Sequence, residues 1–391
     1  MAEIYIAGAV RTAIGKFGGT LAETPAVDLG VAAAIGALKR ANVDPKSIDE
    51  VFFGHARQAN CGPNPARQVA SRAGVPYESP AMTVNQACAS GLRSIALAFG
   101  AIAAGERSTC LVGGMESMSN TPYMLPRARW GYRLGHGELT DGMYKDGFHC
   151  PIADQLMGRT AENLAEQYNI SRDEQDQYAV ESQHRAGAAQ SRHAEDMVAV
   201  SIKGPKGQLT DFLIDEHVRA DATLTGMAKL PSVFKKEGTV HAGNSSGITD
   251  GAAAAIVLSG ESAKRLGVKP LARIVDFTVV GVDPKIMGIG PVPAVRKLIE
   301  RTGIGLDKID LIELNEAFAA QVIACQRDLK LDMSRVNVNG GAIALGHPIG
   351  CTGARITVTL LNEMVRRNAR YGLATLCVSG GMGIAMLFER A

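Results

Sequence analysis

Apolar positions along the chain follow two alternating spacings. Short apolar runs, such as residues 50–54, 310–314 and 373–376, are typical of buried strands. Between such runs, apolar residues recur every three or four positions, as over residues 28–41 and 294–302, which predicts amphipathic helices. Because strands and helices alternate along most of the chain, the pattern predicts an α/β protein built of layers.

The chain also repeats itself. Residues 40–51 align without gaps with residues 301–312, and each stretch reads as a helix end, a short linker and a strand. Residues 109–115 similarly resemble residues 377–383. Each half is also expected to end a strand with a Val-Asn pair before a Gly-rich turn, at residues 84–85 and 338–339. Three matches in the same order favour an internal duplication.

Residues 119–248 do not fit this repeat and are richer in charged and aromatic residues than the rest of the chain. Their spacing predicts one amphipathic helix over about residues 160–190, with Ser171 capping its second part. An insertion of this length usually covers or binds something. We therefore expect three units: an N-terminal half (1–118 with 249–270), a covering and oligomerisation loop domain (119–248), and a C-terminal half (271–391).

Composition excludes several classes of function. The net charge is +2 over 391 residues and no long basic run occurs, so the sequence shows no basic patch of the kind that binds nucleic acid. No stretch is long and apolar enough to span a membrane, and the N-terminus reads as a first strand rather than a signal peptide. Seven scattered cysteines without a Cys-x-x-Cys pair argue against zinc and indicate free thiols in a reducing compartment, so we expect a cytoplasmic protein.

Cys88 carries the strongest chemical signal. It falls where an apolar strand ending at Val84 gives way to a helix whose apolar positions begin at Leu92. The start of a helix carries partial positive charge and unpaired N–H groups, which lower the pKa of a thiol placed there. We therefore expect a nucleophilic thiolate at Cys88, against the alternative that it is a small core residue.

Three further motifs place polar side chains at strand ends or in Gly-rich turns. Asn315 follows a strand, where its amide would either face a site or cap the next helix. His347 lies among five glycines in residues 337–353, which favours close approach of a ligand and a role as base or oxyanion donor. Cys377 ends a strand before another Gly-rich turn. One cysteine from each half is thus expected to reach a shared centre, one as nucleophile and one as acid or base.

Together these motifs carry a resemblance. Residues 85–92 read Asn-x-x-Cys-x-Ser-Gly-Leu, residues 315–319 Asn-Glu-Ala-Phe-Ala, residues 339–350 Asn-Gly-Gly-Ala-Ile-Ala-Leu-Gly-His-Pro-x-Gly, and residues 377–383 Cys-x-x-Gly-Gly-x-Gly. In this order they resemble the thiolase family of acetyl-CoA acetyltransferases and 3-ketoacyl-CoA thiolases. The resemblance implies a duplicated α/β/α/β/α layered fold with an inserted covering-loop domain.

The resemblance also implies reversible Claisen condensation and thiolysis between acetyl-CoA and an acyl-CoA, by a ping-pong mechanism. Cys88 would be the acylated nucleophile, and His347 would activate it. Cys377 would protonate the leaving acetyl-CoA enolate, or deprotonate acetyl-CoA in synthesis. Asn315 would hold a water that stabilises one oxyanion together with His347. The backbone N–H groups of Cys88 and Ser379 would stabilise the other, and Ser379 replaces a usual Gly without losing this N–H.

Substrate contacts are implied in the same way. Ser246 would contact the pantetheine arm of CoA, and Arg219 would meet its nucleotide phosphate. Further contacts are expected from Leu156, Met157, Ala317 and Phe318. Leu156 stands where short-chain members commonly carry His, which makes the acyl pocket more apolar. No metal and no cofactor are expected, because CoA enters as a substrate.

Under this interpretation the partners are acetyl-CoA and acyl-CoA thioesters, in fatty acid metabolism such as β-oxidation, and the assembly is a homotetramer or a homodimer. Two other functions are open. A decarboxylating condensing enzyme of the ketoacyl-synthase kind shares the fold, but such enzymes use two histidines, and Cys377 stands where one is expected. A non-catalytic CoA-binding scaffold is the other, although no catalytic motif is missing.

Overall fold

One mixed β-sheet runs through the molecule, and both halves of the chain contribute to it. The computed structural model describes residues 3–203 and 207–391. The principal strands are β1 (Ile4–Thr12), β2 (Glu50–Gly54), β3 (Ala81–Val84), β4 (Thr109–Ser117), β5 (Thr249–Ser259), β6 (Ala272–Gly281), β7 (Leu311–Leu314), β8 (Tyr371–Val378) and β9 (Met382–Arg390). Their order across the sheet is β7-β8-β9-β6-β1-β5-β4-β2-β3. Two short strands extend it, since Gly15–Lys16 pairs with β5 and Met197–Val198 pairs with β1.

The two halves have the same strand order, as the internal repeat predicts. The N-terminal half runs β1-β5-β4-β2-β3, and the C-terminal half runs β6-β9-β8-β7. The halves meet where β1 and β6 pair antiparallel, with Tyr5 opposite Arg273 and Ile6 opposite Ala272. Equivalent strands therefore lie at equal distances on either side of this central pair.

The prediction of a strand that ends at residues 338–339 is wrong, because the pairing there is reduced to one bridge between Ile312 and Val336. Asn337 adopts a left-handed φ of 46°. Its side-chain amide donates to the carbonyl oxygen of Leu314 at 2.8 Å and accepts from the N–H of Leu314 at 2.9 Å. Since a side chain takes the backbone groups that a longer strand would pair with, the ladder stops there.

Twelve α-helices are found in the described residues. They are α1 (Ala26–Ala41), α2 (Pro65–Arg72), α3 (Ser90–Ala103), α4 (Met157–Gln167), α5 (Arg172–Ala188), α6 (Gln190–Asp196), α7 (Leu224–Ala228), α8 (Gly260–Leu266), α9 (Pro291–Thr302), α10 (Ala319–Leu329), α11 (Ala342–Leu345) and α12 (Ile349–Arg366). None of them combines the length and apolarity needed to cross a membrane.

Five layers follow from how the faces of the sheet are covered. The inner faces of both halves pack around α3 and α12, with Ile6 of β1, Leu92 of α3 and Met386 of β9 in one core. Ala7, the neighbour of Ile6, points to the opposite face, where α1 and α2 cover the N-terminal half. Helices α9 and α10 cover the outer face of the C-terminal half. This is the predicted α/β/α/β/α arrangement.

The inserted residues 119–248 hold α4 to α7 and three small two-stranded sheets. These sheets pair Tyr123–Met124 with Thr140–Asp141, His149–Cys150 with Gln155–Leu156, and Val200–Lys203 with Leu209–Phe212. The single helix expected over residues 160–190 is wrong, because α4 ends at Gln167 and α5 begins at Arg172. Asn169 has a left-handed φ of 50°, and Ser171 starts α5 with a capping box to Glu174. The boundaries of the three units stay a prediction.

The two central helices touch backbone to backbone. A Cβ atom added at Gly91 of α3 would lie 2.6 Å from the backbone nitrogen of Ala354, and one added at Gly353 of α12 would lie 2.3 Å from that of Leu92. Only glycine permits such an approach. Because the contact lies within the first turns of both helices, the loops that precede α3 and α12 are brought side by side.

This contact generates a prediction about stability. Replacing Gly91 with Ala forces a methyl group against the backbone of α12, so we expect the free energy of unfolding to fall by about 1–3 kcal/mol. Gly100, on the same helix, has nothing within 4 Å of an added Cβ, and Gly100→Ala should be neutral or stabilising by up to about 1 kcal/mol. Thermal unfolding midpoints check both variants. Equal midpoints for the two would contradict the close contact of α3 with α12.

Candidate active site

Cys88 lies in the turn that joins β3 to α3, two residues before the helix begins. Ala87 adopts a left-handed φ of 45°. Ser90 closes the turn, since its hydroxyl accepts from the N–H of Gln86 at 2.9 Å and donates to the carbonyl oxygen of Ala87 at 2.6 Å. The Cys88 sulfur is held by two backbone N–H groups, its own and that of Ser379. Residues from the two halves of the chain therefore meet at this sulfur.

The thiol of Cys88 is not activated in the way the sequence suggested. Burial raises its pKa above the ordinary thiol value, and the N–H of Ser379 and the charge of Arg57 offset this only in part. The expectation of a lowered pKa at the helix start is therefore wrong. The residue is 8% exposed, so desolvation of the thiolate outweighs the partial charge of the helix. Cys88 rests as a neutral thiol and needs a base to become a nucleophile.

His347 has the geometry of such a base. Its Nδ1 lies 2.6 Å from the hydroxyl oxygen of Thr352, and that hydroxyl donates to the carbonyl oxygen of Pro348 at 3.0 Å. Because the Thr352 hydroxyl donates its hydrogen to the carbonyl oxygen of Pro348, its oxygen accepts the hydrogen bond from Nδ1 of His347. Nδ1 therefore carries the hydrogen of the neutral imidazole, and Nε2 carries none. Nε2 is buried and has no hydrogen-bond partner among the described residues.

The imidazole of His347 is also held neutral. Burial, the charge of Arg355 and the charge of Arg57 together lower its pKa to about 3. A neutral imidazole with a free Nε2 accepts a proton, whereas a protonated one does not. The loop is fixed by the backbone N–H of His347, which donates to the carbonyl oxygen of Gly247 at 3.0 Å.

Cys377 lies at the end of β8 and is completely buried. Burial raises its pKa well above the ordinary thiol value, and the charge of a Cys88 thiolate raises it further. This effect indicates that the two sulfurs lie near each other. The side chain packs with Met287, Ala317 and Phe318 in a small apolar cluster. Cys377 is therefore a neutral thiol that can donate a proton to a strong base formed beside it.

Asn315 is the third element of the site. It follows β7, is 1% exposed, and neither its Nδ2 nor its Oδ1 finds a hydrogen-bond partner within the described part of the chain. A buried amide left with free donor and acceptor atoms is costly, which is typical of a group that binds water or substrate. The interpretation of Asn315 as a mere helix cap is not supported, because α10 shows no side-chain cap.

Glu316, next in the chain, was not identified from the sequence. Its buried carboxylate accepts hydrogen bonds from Tyr178 and Ser182 of α5, both at 2.7 Å, and from Asn337 and Ile343, both at 3.1 Å. It thereby fastens the loop of Asn315 to the inserted domain and to the loop that leads to His347. A charged residue inside an otherwise apolar motif was the available signal.

One wall holds four of the expected substrate contacts: Met157, Ser246, Ala317 and Phe318. The N–H of Ser246 donates to the carbonyl oxygen of Ala317 at 3.0 Å, and Ser245 pairs with Phe318. Met157 and Phe318 pack in the cluster that contains Cys377. The half-buried Leu156 immediately precedes Met157 at the start of α4.

Arg219 lies at the surface, as a phosphate contact would require. Its backbone N–H donates to Oε1 of Gln183 at 2.7 Å. Two residues earlier, the ring of His217 packs against Gly247, where an added Cβ would lie 2.2 Å from Nε2. Arg219 thus lies two residues along the chain from a side chain that contacts the loop of Ser246.

Two more residues beside the site were missed. Thr352 fixes the tautomer of His347, and its place one turn into α12 was readable from the sequence. Arg57 follows β2 and acts electrostatically on both Cys88 and His347. A basic residue just past the carboxyl end of a buried strand was the signal for Arg57. Within residues 3–203 and 207–391, no group of three or more His, Cys, Asp or Glu side chains is placed to hold a metal ion.

Comparison with known proteins places this site in a family. Residues 4–261 match the family model described as thiolase, N-terminal domain, and residues 268–390 match that described as thiolase, C-terminal domain. The chain belongs to the thiolase family.

Individual relatives agree over the full length. The chain is 52% identical to the acetyl-CoA acetyltransferase of Shinella zoogloeoides, covering 99% of this chain and 98% of that protein. It is 49% identical to that of Cupriavidus necator, covering 100% of both. Human mitochondrial 3-ketoacyl-CoA thiolase has a TM-score of 0.96 at 42% identity, and Bacillus anthracis acetyl-CoA acetyltransferase has 0.97 at 46%. Each comparison covers 100% of this chain and 99% of the other.

The neutral state of His347 predicts a pH dependence of stability. Its pKa is about 3 in the fold and 6.5 in the unfolded chain, so between these values only the unfolded chain binds the proton. Stability contributed by His347 is therefore lost as the pH falls from about 6.5 towards 3. We expect the melting temperature of wild type to fall more steeply between pH 7 and pH 5 than that of His347→Asn.

The control for this experiment is His136→Asn, in an exposed loop. It should keep the wild-type slope of melting temperature against pH. If His347→Asn had the same slope of melting temperature against pH as wild type, the imidazole of His347 would not be held neutral by the fold.

Proposed function

We propose that this protein is an acyltransferase that catalyses reversible Claisen condensation and thiolysis between acetyl-CoA and an acyl-CoA, through an S-acyl-Cys88 intermediate. The observation that carries this proposal is a pair of buried neutral thiols, one from each half, in which the charge of one acts on the other. A bare imidazole nitrogen at His347 and an unpartnered amide at Asn315 support it. The relatives named above are acetyl-CoA acetyltransferases and a 3-ketoacyl-CoA thiolase, which supports the same reaction.

In the thiolysis direction, Cys88 attacks the 3-keto carbon of a 3-oxoacyl-CoA while its proton passes to Nε2 of His347. The alkoxide that forms is stabilised by the protonated His347 and by a water held on the amide of Asn315. The bond between C2 and C3 then breaks, and the acyl group stays on Cys88. The departing acetyl-CoA enolate takes the proton of Cys377, which leaves a thiolate there.

A second molecule of CoA completes the cycle. Its thiol gives a proton to the Cys377 thiolate and attacks the acyl carbon on Cys88. The new oxyanion is stabilised by the backbone N–H groups of Cys88 and Ser379. When the intermediate collapses, the Cys88 sulfur leaves and recovers its proton from His347. All three groups return to their resting protonation states, and condensation follows the same steps in reverse.

The remaining features of the proposal rest on the resemblance and the placement of side chains. Ser246 contacts pantetheine, Arg219 the nucleotide phosphate, and Leu156, Met157, Ala317 and Phe318 line the substrate wall. CoA is a substrate, and the reaction uses no metal or further cofactor. We also propose a cytoplasmic homotetramer or homodimer that acts in fatty acid metabolism, including β-oxidation.

The roles of the two cysteines are tested by separating acyl transfer from carbon–carbon bond chemistry. With acetyl-CoA alone, we expect intact-protein mass spectrometry to detect one acetyl group on wild type and none on Cys88→Ala. Cys377→Ala should still be acetylated, but it should lose at least about 100-fold in cleavage of acetoacetyl-CoA. Cys110→Ala, which removes a buried thiol on β4, should keep both activities.

Each contrary result has a distinct meaning. Acetylation of Cys88→Ala, or full cleavage by Cys377→Ala, would overturn the assigned roles. Turnover of malonyl thioesters without turnover of acetyl-CoA would favour the decarboxylating condensing enzyme. Failure of wild type to accept an acetyl group would favour the non-catalytic scaffold.

The role of Thr352 follows from the hydrogen bond that fixes the His347 tautomer. Thr352→Val keeps the volume but removes the acceptor for Nδ1–H, so we expect kcat to fall about 10- to 100-fold, with KM for CoA little changed. Thr352→Ser retains the hydroxyl and should stay near wild type. Steady-state kinetics over a range of pH checks both variants. Equal loss in Val and Ser variants would indicate that Thr352 acts only through packing.

A further inference from the structure

Arg57 is a buried cation held against the inserted domain. It follows β2, its backbone N–H donates to Oε1 of Glu116 at 3.1 Å, and the residue is 5% exposed. The guanidinium carbon lies 5.3 Å from the centre of the Phe148 ring. A Cβ added at Gly147 would fall 1.8 Å from Nη2, so the guanidinium lies directly on the backbone of the turn Tyr144–Phe148. Its position is therefore fixed by packing.

Two nitrogen atoms of the Arg57 guanidinium lack a hydrogen-bond acceptor within the described part of the chain. Nε and Nη2 are buried, and none of the described residues accepts a hydrogen bond from either. Glu116 and Asp146 both act electrostatically on Arg57. The carboxylate of Glu116 is occupied by His55 at 3.2 Å, by the N–H of Gly350 at 2.8 Å, and by the N–H groups of Ala56 and Arg57. An unpaired buried guanidinium is costly, which points to a partner that arrives with the substrate.

The guanidinium acts on the expected nucleophile and its base. Phe148, on which it stacks, packs against the large core that contains Cys88 and Ile349. The charge of Arg57 also lowers the pKa values of both Cys88 and His347, so it acts within the reaction site.

The chemistry of the missing partner follows from the guanidinium itself. A carboxylate has the planar two-oxygen geometry that a guanidinium binds best.

We propose that Arg57 is a specificity-determining residue that binds a carboxylate at the far end of the acyl chain carried by Cys88. This rests on the proposed thiolase function and names its substrate class: 3-oxoacyl-CoA thioesters whose chain ends in a carboxylate. The carboxylate forms two N–H···O bonds with the guanidinium over Phe148, and the reacting carbonyl stays at Cys88. A thiolase with an uncharged acyl pocket would discriminate against such chains, because the carboxylate would be buried without a partner.

The test compares thiolysis of substrates matched in length. The pairs are 3-oxoadipyl-CoA with 3-oxohexanoyl-CoA, and 3-oxosuberyl-CoA with 3-oxooctanoyl-CoA, which differ only in the terminal carboxylate. We expect wild type to show kcat/KM at least about tenfold higher for the charged member of one pair. Arg57→Gln should lower that ratio by about 10- to 100-fold, and Arg57→Lys, which keeps the charge, should lose less.

A matched control is Arg93→Gln. Arg93 also stacks on an aromatic ring, that of Phe277 at 5.7 Å, so its replacement should leave the substrate ratio unchanged. A wild-type ratio of one or less in both pairs would overturn the inference. Equal loss on charged and uncharged substrates in Arg57→Gln would also overturn it, because the charge would then act only on Cys88 and His347. Acetoacetyl-CoA distinguishes the failures, since its cleavage by wild type sustains the thiolase function even when this inference fails.

Discussion

The contact between the two central helices is the constraint on which the site depends. Helices α3 and α12 come from different halves, and Gly91 and Gly353 let their first turns meet without side chains between them. Cys88 lies two residues before α3, and His347 lies two residues before α12. The expected nucleophile and its proposed base are therefore placed by a close backbone contact in the core. Larger residues at these glycines would move the two helix starts apart.

Burial then sets the protonation state of every reacting group. Taking Cys88, Cys377 and His347 out of water raises the pKa of both thiols and lowers that of the imidazole, so all three rest uncharged. In the proposed mechanism, charges appear only while bonds change, and the backbone N–H groups at Cys88 and the amide of Asn315 stabilise them. The inserted residues 119–248 are attached to the N-terminal half, because Asp215 accepts two hydrogen bonds of 2.8 Å from Arg11 of β1.

Much of this arrangement was predictable from the sequence. The repeat predicted equal strand order in the halves, because each copy preserved its alternation of buried runs and helical spacing. Cys88, Asn315 and Cys377 were identifiable because each lies at the end of a strand or shortly after it, and the carboxyl ends of such strands gather where sites form.

The predictions that were wrong depended on contacts between residues distant in sequence. The pKa of Cys88 depends on how deeply the other half buries it, and no local pattern reports that. The strand at residues 338–339 was lost to the side chain of Asn337, which reaches back to Leu314. The sequence also did not indicate that two nitrogen atoms of Arg57 lack an acceptor, because this depends on other groups, such as the N–H of Gly350, donating to the carboxylate of Glu116.

The most direct test of the central claim is a crystal structure of the protein soaked with acetyl-CoA. It should show an acetyl group on the Cys88 sulfur, its carbonyl oxygen within hydrogen-bond distance of the N–H groups of Cys88 and Ser379, and the Cys377 sulfur facing the methyl carbon. An unmodified Cys88, or an acetyl oxygen that points away from Ser379, would contradict the account.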